Sequence, residues 1–93
     1  MISREDIIGL CDLTEDEVAA IAEHEHIPDV AAAALGNYLV HMDKGAARIR
    51  DMIIEDIRAA LDDGDVEHAG RLLMALRHLL SEHPEAASER PRH

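Results

Sequence analysis

The sequence is poor in the residues on which many binding functions depend. Tyr38 is the only aromatic residue among 93, so the side chains that stack on single-stranded bases or anchor a typical protein interface are missing. Basic residues are also few, because nine Lys and Arg stand against 20 Asp and Glu, for a formal net charge of −11. A surface of this charge repels phosphate, so we expect neither nucleic acid nor an anionic membrane as a partner.

Cysteine and long apolar segments are scarce as well. The single cysteine, Cys11, excludes an intrachain disulfide and fits a reducing compartment. The first residues are acidic where a secretory signal would be basic and then apolar, and the uncharged run over residues 30–40 is too short to span a bilayer. We therefore expect a cytoplasmic protein with no membrane partner.

The motifs of the common enzyme classes do not occur. The chain has no phosphate-binding loop, dinucleotide fingerprint, zinc-protease helix, Cys-x-x-Cys pair or hydrolase elbow. Cys11 lies close to Ile7, Ile8 and Leu10, an apolar setting that is typical of an inert, buried thiol. The sequence therefore favours a protein that is not an enzyme, and we assign no catalytic residue.

Helical periodicity and helix-end signals cover most of the chain. Ser3 begins a short helix, and Thr14 with Glu17 forms a capping-box pattern that begins a second helix ending near His26. The predicted ranges of the three helices that follow are 28–41, 46–61 and 65–82. Because no strand-like alternation appears, we predict an all-α fold, a compact array of about five short helices to which a dimer partner could add.

The predicted helices belong to one domain, because a chain of 93 residues is too short for two separate cores. We assign residues 1–83 to this helical domain. Residues 84–93 contain two prolines and few apolar side chains, so we predict a disordered tail.

Several polar side chains fall on the apolar faces of the predicted helices. At about 100° per residue, Asp56 projects inside the apolar arc of its helix, and His68 lies on the apolar stripe of the next. Glu23 and His26 have the i, i+3 spacing by which helical di-metal sites take two ligands from one helix. The full set of candidate metal ligands is Glu23, Glu25, His26, His41, Asp56 and His68.

Two interpretations of these side chains stay open. Carboxylate and imidazole groups together suit iron, manganese or zinc, so one hypothesis is a transition-metal site inside the helix bundle. The other hypothesis, which we favour, needs no cofactor: an arginine from a neighbouring helix holds Asp56, and His68 and His41 are neutral core histidines bonded to a backbone carbonyl or to Tyr38. No cofactor is therefore expected, with metal binding as the alternative.

The third predicted helix indicates association. It is apolar on nearly every side, with Leu35 and Leu39 facing away from a stripe that contains Val30 and Ala34. We expect this helix to be central, with the Val30 stripe against the core. Because a helix with two apolar sides needs two neighbours, a second copy of the chain would cover the other side.

The fourth predicted helix repeats this pattern with a second apolar stripe of Ala47, Ile54 and Leu61 at heptad spacing. We therefore predict a small acidic protein that acts by association, as a homo-oligomer or an accessory subunit. Residues 1–43 hold ten acidic side chains and one basic, a charge distribution that would also suit a basic protein partner.

Overall fold

A computed structural model of the chain describes residues 13–88. Its helices are α1 (Glu15–Glu25), α2 (Asp29–Val40), α3 (Gly45–Asp62), α4 (Val66–Glu82) and α5 (Glu85–Ser88). No strand occurs between residues 13 and 88, so the predicted all-α fold is confirmed. Helices α1 to α4 begin and end within about one residue of the predicted limits. The helix predicted from Ser3 and the environment predicted for Cys11 lie outside the described residues.

Helix α1 begins with the capping box that the sequence predicts. The Thr14 hydroxyl oxygen accepts a hydrogen bond from the Glu17 backbone N–H at 3.2 Å, and Glu17 Oε1 accepts one from the Thr14 backbone N–H at 2.7 Å. These bonds satisfy two of the free donors at the start of the helix. The helix ends where His26 adopts the left-handed conformation, with φ of 56°.

Helix α3, rather than α2, is the central helix. It contacts α1, α2, α4 and α5, whereas among these helices α2 packs on α1 and α3. The expectation that α2 is central is therefore wrong. The reason is side-chain size: α3 brings Ile49 and Ile53 to the core, both almost completely buried, while the buried residues of α2 are mostly alanine and glycine.

The core forms where three helices meet α3. Val18 and Ile21 of α1, together with Leu72 and Leu79 of α4, pack around the two buried isoleucines of α3. Burial of one such aliphatic side chain stabilises the fold by about 1.5–3 kcal/mol. This cluster therefore positions α1 against α3 and α4, the arrangement on which the polar contacts described below depend.

Helix α2 turns towards the core the face opposite to the one we expected. Leu39 is buried and Leu35 is half-buried against the core, whereas Val30 and Tyr38 are exposed. Gly36 explains this orientation, because a Cβ atom at that position would overlap the side chain of Leu13 and press on that of Ile21. The leucines thus need no second copy to cover them, and within residues 13–88 the uncovered apolar side of α2 is the one that contains Val30.

The C-terminal residues also differ from the prediction. Residues 85–88 of the predicted disordered tail form helix α5, and its Ala86 is fully buried against Ala46 and Ala47 of α3. The buried Arg50 guanidinium donates a hydrogen bond to the Ala86 carbonyl oxygen. Ala47, at one end of the second stripe predicted on α3, is thus covered by the same chain, whereas Leu61, at the other end, is exposed. Residues 89–93 lie outside the described part.

Candidate functional site

The outward side of α2 is exposed and carries no charge. We call Val30, Ala31, Ala34 and Tyr38 the outer face of α2; all four are exposed, Val30 to 60% and Tyr38 to 64%. No Asp, Glu, Lys or Arg occurs in residues 30–42, although such residues make up 31% of the chain. The outer face is therefore apolar surface on a segment of the chain that carries no charged side chain of its own.

Exposed apolar side chains also occur on α4, but in different surroundings. Val66, Leu73 and Met74 are 71%, 48% and 57% exposed. The exposed charged residues of the same helix between positions 66 and 77 are Glu67, Arg71 and Arg77. Single apolar side chains among charges are ordinary on soluble proteins, so α4 is the weaker candidate for a contact surface.

A cleft of about 370 Å³ adjoins the outer face of α2. It lies between α1, α2 and α3, and Tyr38 belongs both to the outer face and to its wall. Leu35, Leu39 and Met52 supply the apolar part of the lining. The polar part consists of His24, Glu25, Arg48, Asp51 and Glu55. The outer face therefore continues into a concave surface that can receive a side chain from a bound molecule.

Histidines and carboxylates meet where α1 packs on α3 and α4. His24 of α1 bonds Glu25 through Nδ1 at 2.9 Å, and its Nε2 lies 3.6 Å from Glu55 Oε2 of α3. Burial lowers the pKa of His24, but the hydrogen bond to Glu25 and the charges of Asp56 and Glu55 outweigh it, so the pKa lies above its ordinary value. His24 therefore carries its proton to higher pH than a free histidine.

Asp56 is the carboxylate at the centre of this meeting point. Its Oδ2 atom is buried and has no hydrogen-bond partner among the described residues. Burial raises the pKa of Asp56; the charges of Glu23 and Glu55 add to the rise, and those of His24 and His68 oppose it. No arginine holds Asp56 in the described part of the chain, so that element of the favoured interpretation is not found.

Three of the six predicted metal ligands come together. Glu23 Oε1 lies 2.6 Å from His68 Nε2, and Asp56 interacts with both through its charge. The other three do not join them, because Glu25 bonds His24, His26 is the exposed residue that ends α1, and His41 bonds the Asn37 carbonyl oxygen at 2.7 Å. Within residues 13–88 no three His, Cys, Asp or Glu side chains are placed to hold one metal ion, so the geometry identifies none of the six as a ligand. Metal binding stays a prediction.

His24 and the buried side chains of Glu17 and Arg50 were not among the interior residues that the sequence predicted. A signal for His24 was present, because Glu17, Ile21 and His24 follow the i, i+4, i+7 spacing of one helix face. Arg50 likewise follows Ala46 by four residues and precedes Ile53 by three. Because charged residue types are usually exposed to solvent, this spacing alone does not identify such side chains as buried.

No protein-family model matches the chain, and no curated protein or solved structure shows significant similarity to it. None of the helices in the described range is long and apolar enough to cross a membrane. Two features of the described residues bear on function. One is the outer face of α2, and the other is the contact of α1 with α3 and α4.

Proposed function

We propose that the protein acts by self-association, and that two copies meet through the outer face of α2. The observation that supports this proposal is the exposed, charge-free surface of residues 30–42 in a chain of net charge −11. Two copies of so acidic a chain repel each other wherever their charged surfaces meet. The electrostatic repulsion between two copies is therefore weakest where neither copy presents a charge.

The shape of the outer face suits a second copy of the same helix. Ala31 and Ala34 are small and exposed between Val30 and Tyr38, so the backbones of two such helices can approach closely. A two-fold contact uses the same patch on both copies and needs no complementary charge. A basic partner, by contrast, would be recognised by a charged face.

The size of the surface predicts a dimer of moderate affinity. A 12-residue helix is about 18 Å long and about 10 Å wide. Its footprint of about 180 Å² is small against the roughly 800 Å² that each partner contributes to a standard interface. The cleft beside Tyr38 and the partly exposed Met42 extend the available area. We therefore expect dissociation in the micromolar range, where changes in affinity are simple to measure.

The direct test places a charge in the middle of the outer face. The Ala34→Glu variant should dissociate at least about 100-fold more readily than the wild type, because each copy would bury an unpaired carboxylate. The measurement is sedimentation equilibrium over a range of micromolar concentrations. The matched control is Ala59→Glu, the same substitution at an exposed alanine of α3, which should leave the affinity unchanged.

Salt distinguishes a second copy from a basic partner. Added NaCl should strengthen the dimer, because screening weakens the repulsion between two acidic chains. A contact with a basic protein would weaken under the same change. Equal dissociation constants for Ala34→Glu and Ala59→Glu would show that the outer face of α2 is not the interface.

A further inference from the structure

Three contacts between a histidine and a glutamate join α1 to α3 and α4 within residues 13–88. The closest atoms lie 3.6, 2.6 and 3.3 Å apart, and the pairs are His24–Glu55, Glu23–His68 and Glu17–His78. Glu17 is the buried member, with 1% of its side chain exposed, and the remaining side chains are 22–55% exposed. Lysine and arginine take no part in these three contacts. We call the six residues the histidine junction.

We propose that the histidine junction makes the docking of α1 depend on acidity, so that α1 is held more tightly as the pH falls from 8 to 6. A protonated imidazole forms a charge-assisted hydrogen bond with a carboxylate, and a neutral imidazole forms a weaker one. Histidine is the side chain that changes charge in this range. This proposal concerns the fold of one chain and does not rest on self-association.

Most of the charged groups around the junction histidines are carboxylates. His24 faces Glu25 on its own helix and Glu55 and Asp56 on α3, all carboxylates. His78 faces Glu17 on α1 and Glu82 on α4, again carboxylates. The one cation in contact with a junction histidine is Arg71, whose guanidinium lies 3.3 Å from His68 Nδ1 in the described structure. Helix α2 also packs on α1, but carries no charged side chain after Asp29.

The sign of the pH effect follows from His24 and Asp56. The pKa of His24 is raised in the folded chain, so its contribution to stability is present below its ordinary value of 6.5 and is lost as the pH rises through the raised value. The pKa of Asp56 is raised as well, from an ordinary 3.8, so its ionised form opposes folding at neutral pH. Protonated neighbours reduce that opposition. Between pH 8 and pH 6 the gain in stability therefore comes from His24, and Asp56 adds to it only as the pH approaches the raised pKa of its carboxyl group.

Loosening of α1 would also weaken the packing of α2, because Ile21 of α1 lies against Gly36 on the inner side of α2. The side chains of Val18 and Ile21 would lose their contacts with the core at the same time. A pH-dependent α1 therefore alters the support of the helix that carries the outer face.

The test compares two pairs of histidine substitutions. Both His24→Gln/His68→Gln and His26→Gln/His41→Gln remove two histidines, but only the first pair belongs to the junction. Thermal unfolding is followed at pH 6 and pH 8 with EDTA present throughout, so that no bound metal contributes. We expect the melting temperature of the wild type and of the control to rise by about 3–6 °C from pH 8 to pH 6. The junction variant should lose most of that rise.

Hydrogen exchange provides a local measurement. Corrected for its intrinsic pH dependence, exchange at the amides of Val18 and Ile21 should be faster at pH 8 than at pH 6 in the wild type. Exchange in the middle of α4 should change less. If the junction variant does not fold, Glu23→Gln/Glu55→Gln removes the carboxylates instead and should lose the same pH response. An equal pH response in the junction variants and the control would overturn the proposal.

Discussion

Two helix faces that contain small apolar residues differ in whether another helix of the described structure covers them. The face of α3 that contains Ala46 and Ala47 is covered by α5 of the same chain, with Ala86 fully buried against it. The outer face of α2 stays uncovered within the described structure, with Val30 and Tyr38 more than half exposed. Within residues 13–88 the chain therefore covers the face on α3 and does not cover the outer face of α2.

The difference between the two faces lies in their polar surroundings. The covered face has Arg50 beside it, and the Arg50 guanidinium bonds Asp51 at 2.9 Å as well as the Ala86 carbonyl oxygen. This pairing fixes α5 in one orientation. The outer face of α2 contains no charged residue of its own, and the charged side chains beside it, such as Arg48 and Asp51, line the adjoining cleft.

The largest predicted effect on the free energy of unfolding distinguishes the buried side of α2 from its outer face. Gly36→Leu places a large side chain against Leu13 and Ile21, so we expect it to lower the free energy of unfolding by about 3 kcal/mol or more. Ala34→Leu adds the same side chain on the outer face and should change the stability of the monomer by less than about 0.5 kcal/mol. Chemical denaturation of both variants measures the difference. Similar losses in both would mean that the orientation of α2 is wrong.

A smaller loss of stability should follow removal of α5, the helix that covers Ala46 and Ala47 of α3. A chain that ends at His83 loses the buried Ala86 and the hydrogen bond to Arg50, so we expect a loss of about 2 kcal/mol. A chain that ends at Ser88 keeps helix α5 and serves as the control. Thermal melts of the two chains test this, and equal melting temperatures would show that α5 does not stabilise the fold.

The smallest predicted effect on stability concerns Asp56, a charged residue that belongs to neither apolar face. Asp56→Asn keeps the shape of the side chain and removes a charge that burial disfavours. We expect a gain of about 0.5 kcal/mol at pH 8, or about 2–4 °C in the melting temperature, because the group is only partly buried. The gain should shrink as the pH falls towards the raised pKa of the carboxyl group, where the wild-type Asp56 also becomes neutral.

The control for this substitution is Asp43→Asn, which makes the same change in net charge at an exposed residue between α2 and α3. A lower melting temperature for Asp56→Asn than for Asp43→Asn would contradict the account. It would mean that a cation, either a protein side chain or a bound metal ion, holds the Asp56 carboxylate.

Helix limits were predictable because their signals are local. The capping box of Thr14 and Glu17, and the Asp and Gly residues before α4, act over three or four positions of the chain. The orientation of α2 was not predictable in this way, because both of its sides are apolar and hydrophobicity does not choose between them. The choice depends on the close approach of Gly36 to α1, which is a contact between helices.

The candidate site was predictable only in part for the same reason. Helical spacing placed Asp56 and His68 towards the interior, and the structure brings both to α1. His26 lies away from the interior because the chain leaves the helix at that residue, and Glu25, the last residue of α1, is exposed and bonds His24. Which carboxylate meets which histidine depends on how α1 crosses α3 and α4, and that crossing is decided by the packing of the core.

The molar mass of the wild-type chain tests the central proposal most directly. Sedimentation equilibrium at neutral pH, from below one to several hundred micromolar, should show the mass rising with concentration from 10.3 kDa towards twice that value. The rise should occur at lower concentration when NaCl is added. A mass of 10.3 kDa at every concentration and salt level would contradict self-association through the outer face of α2.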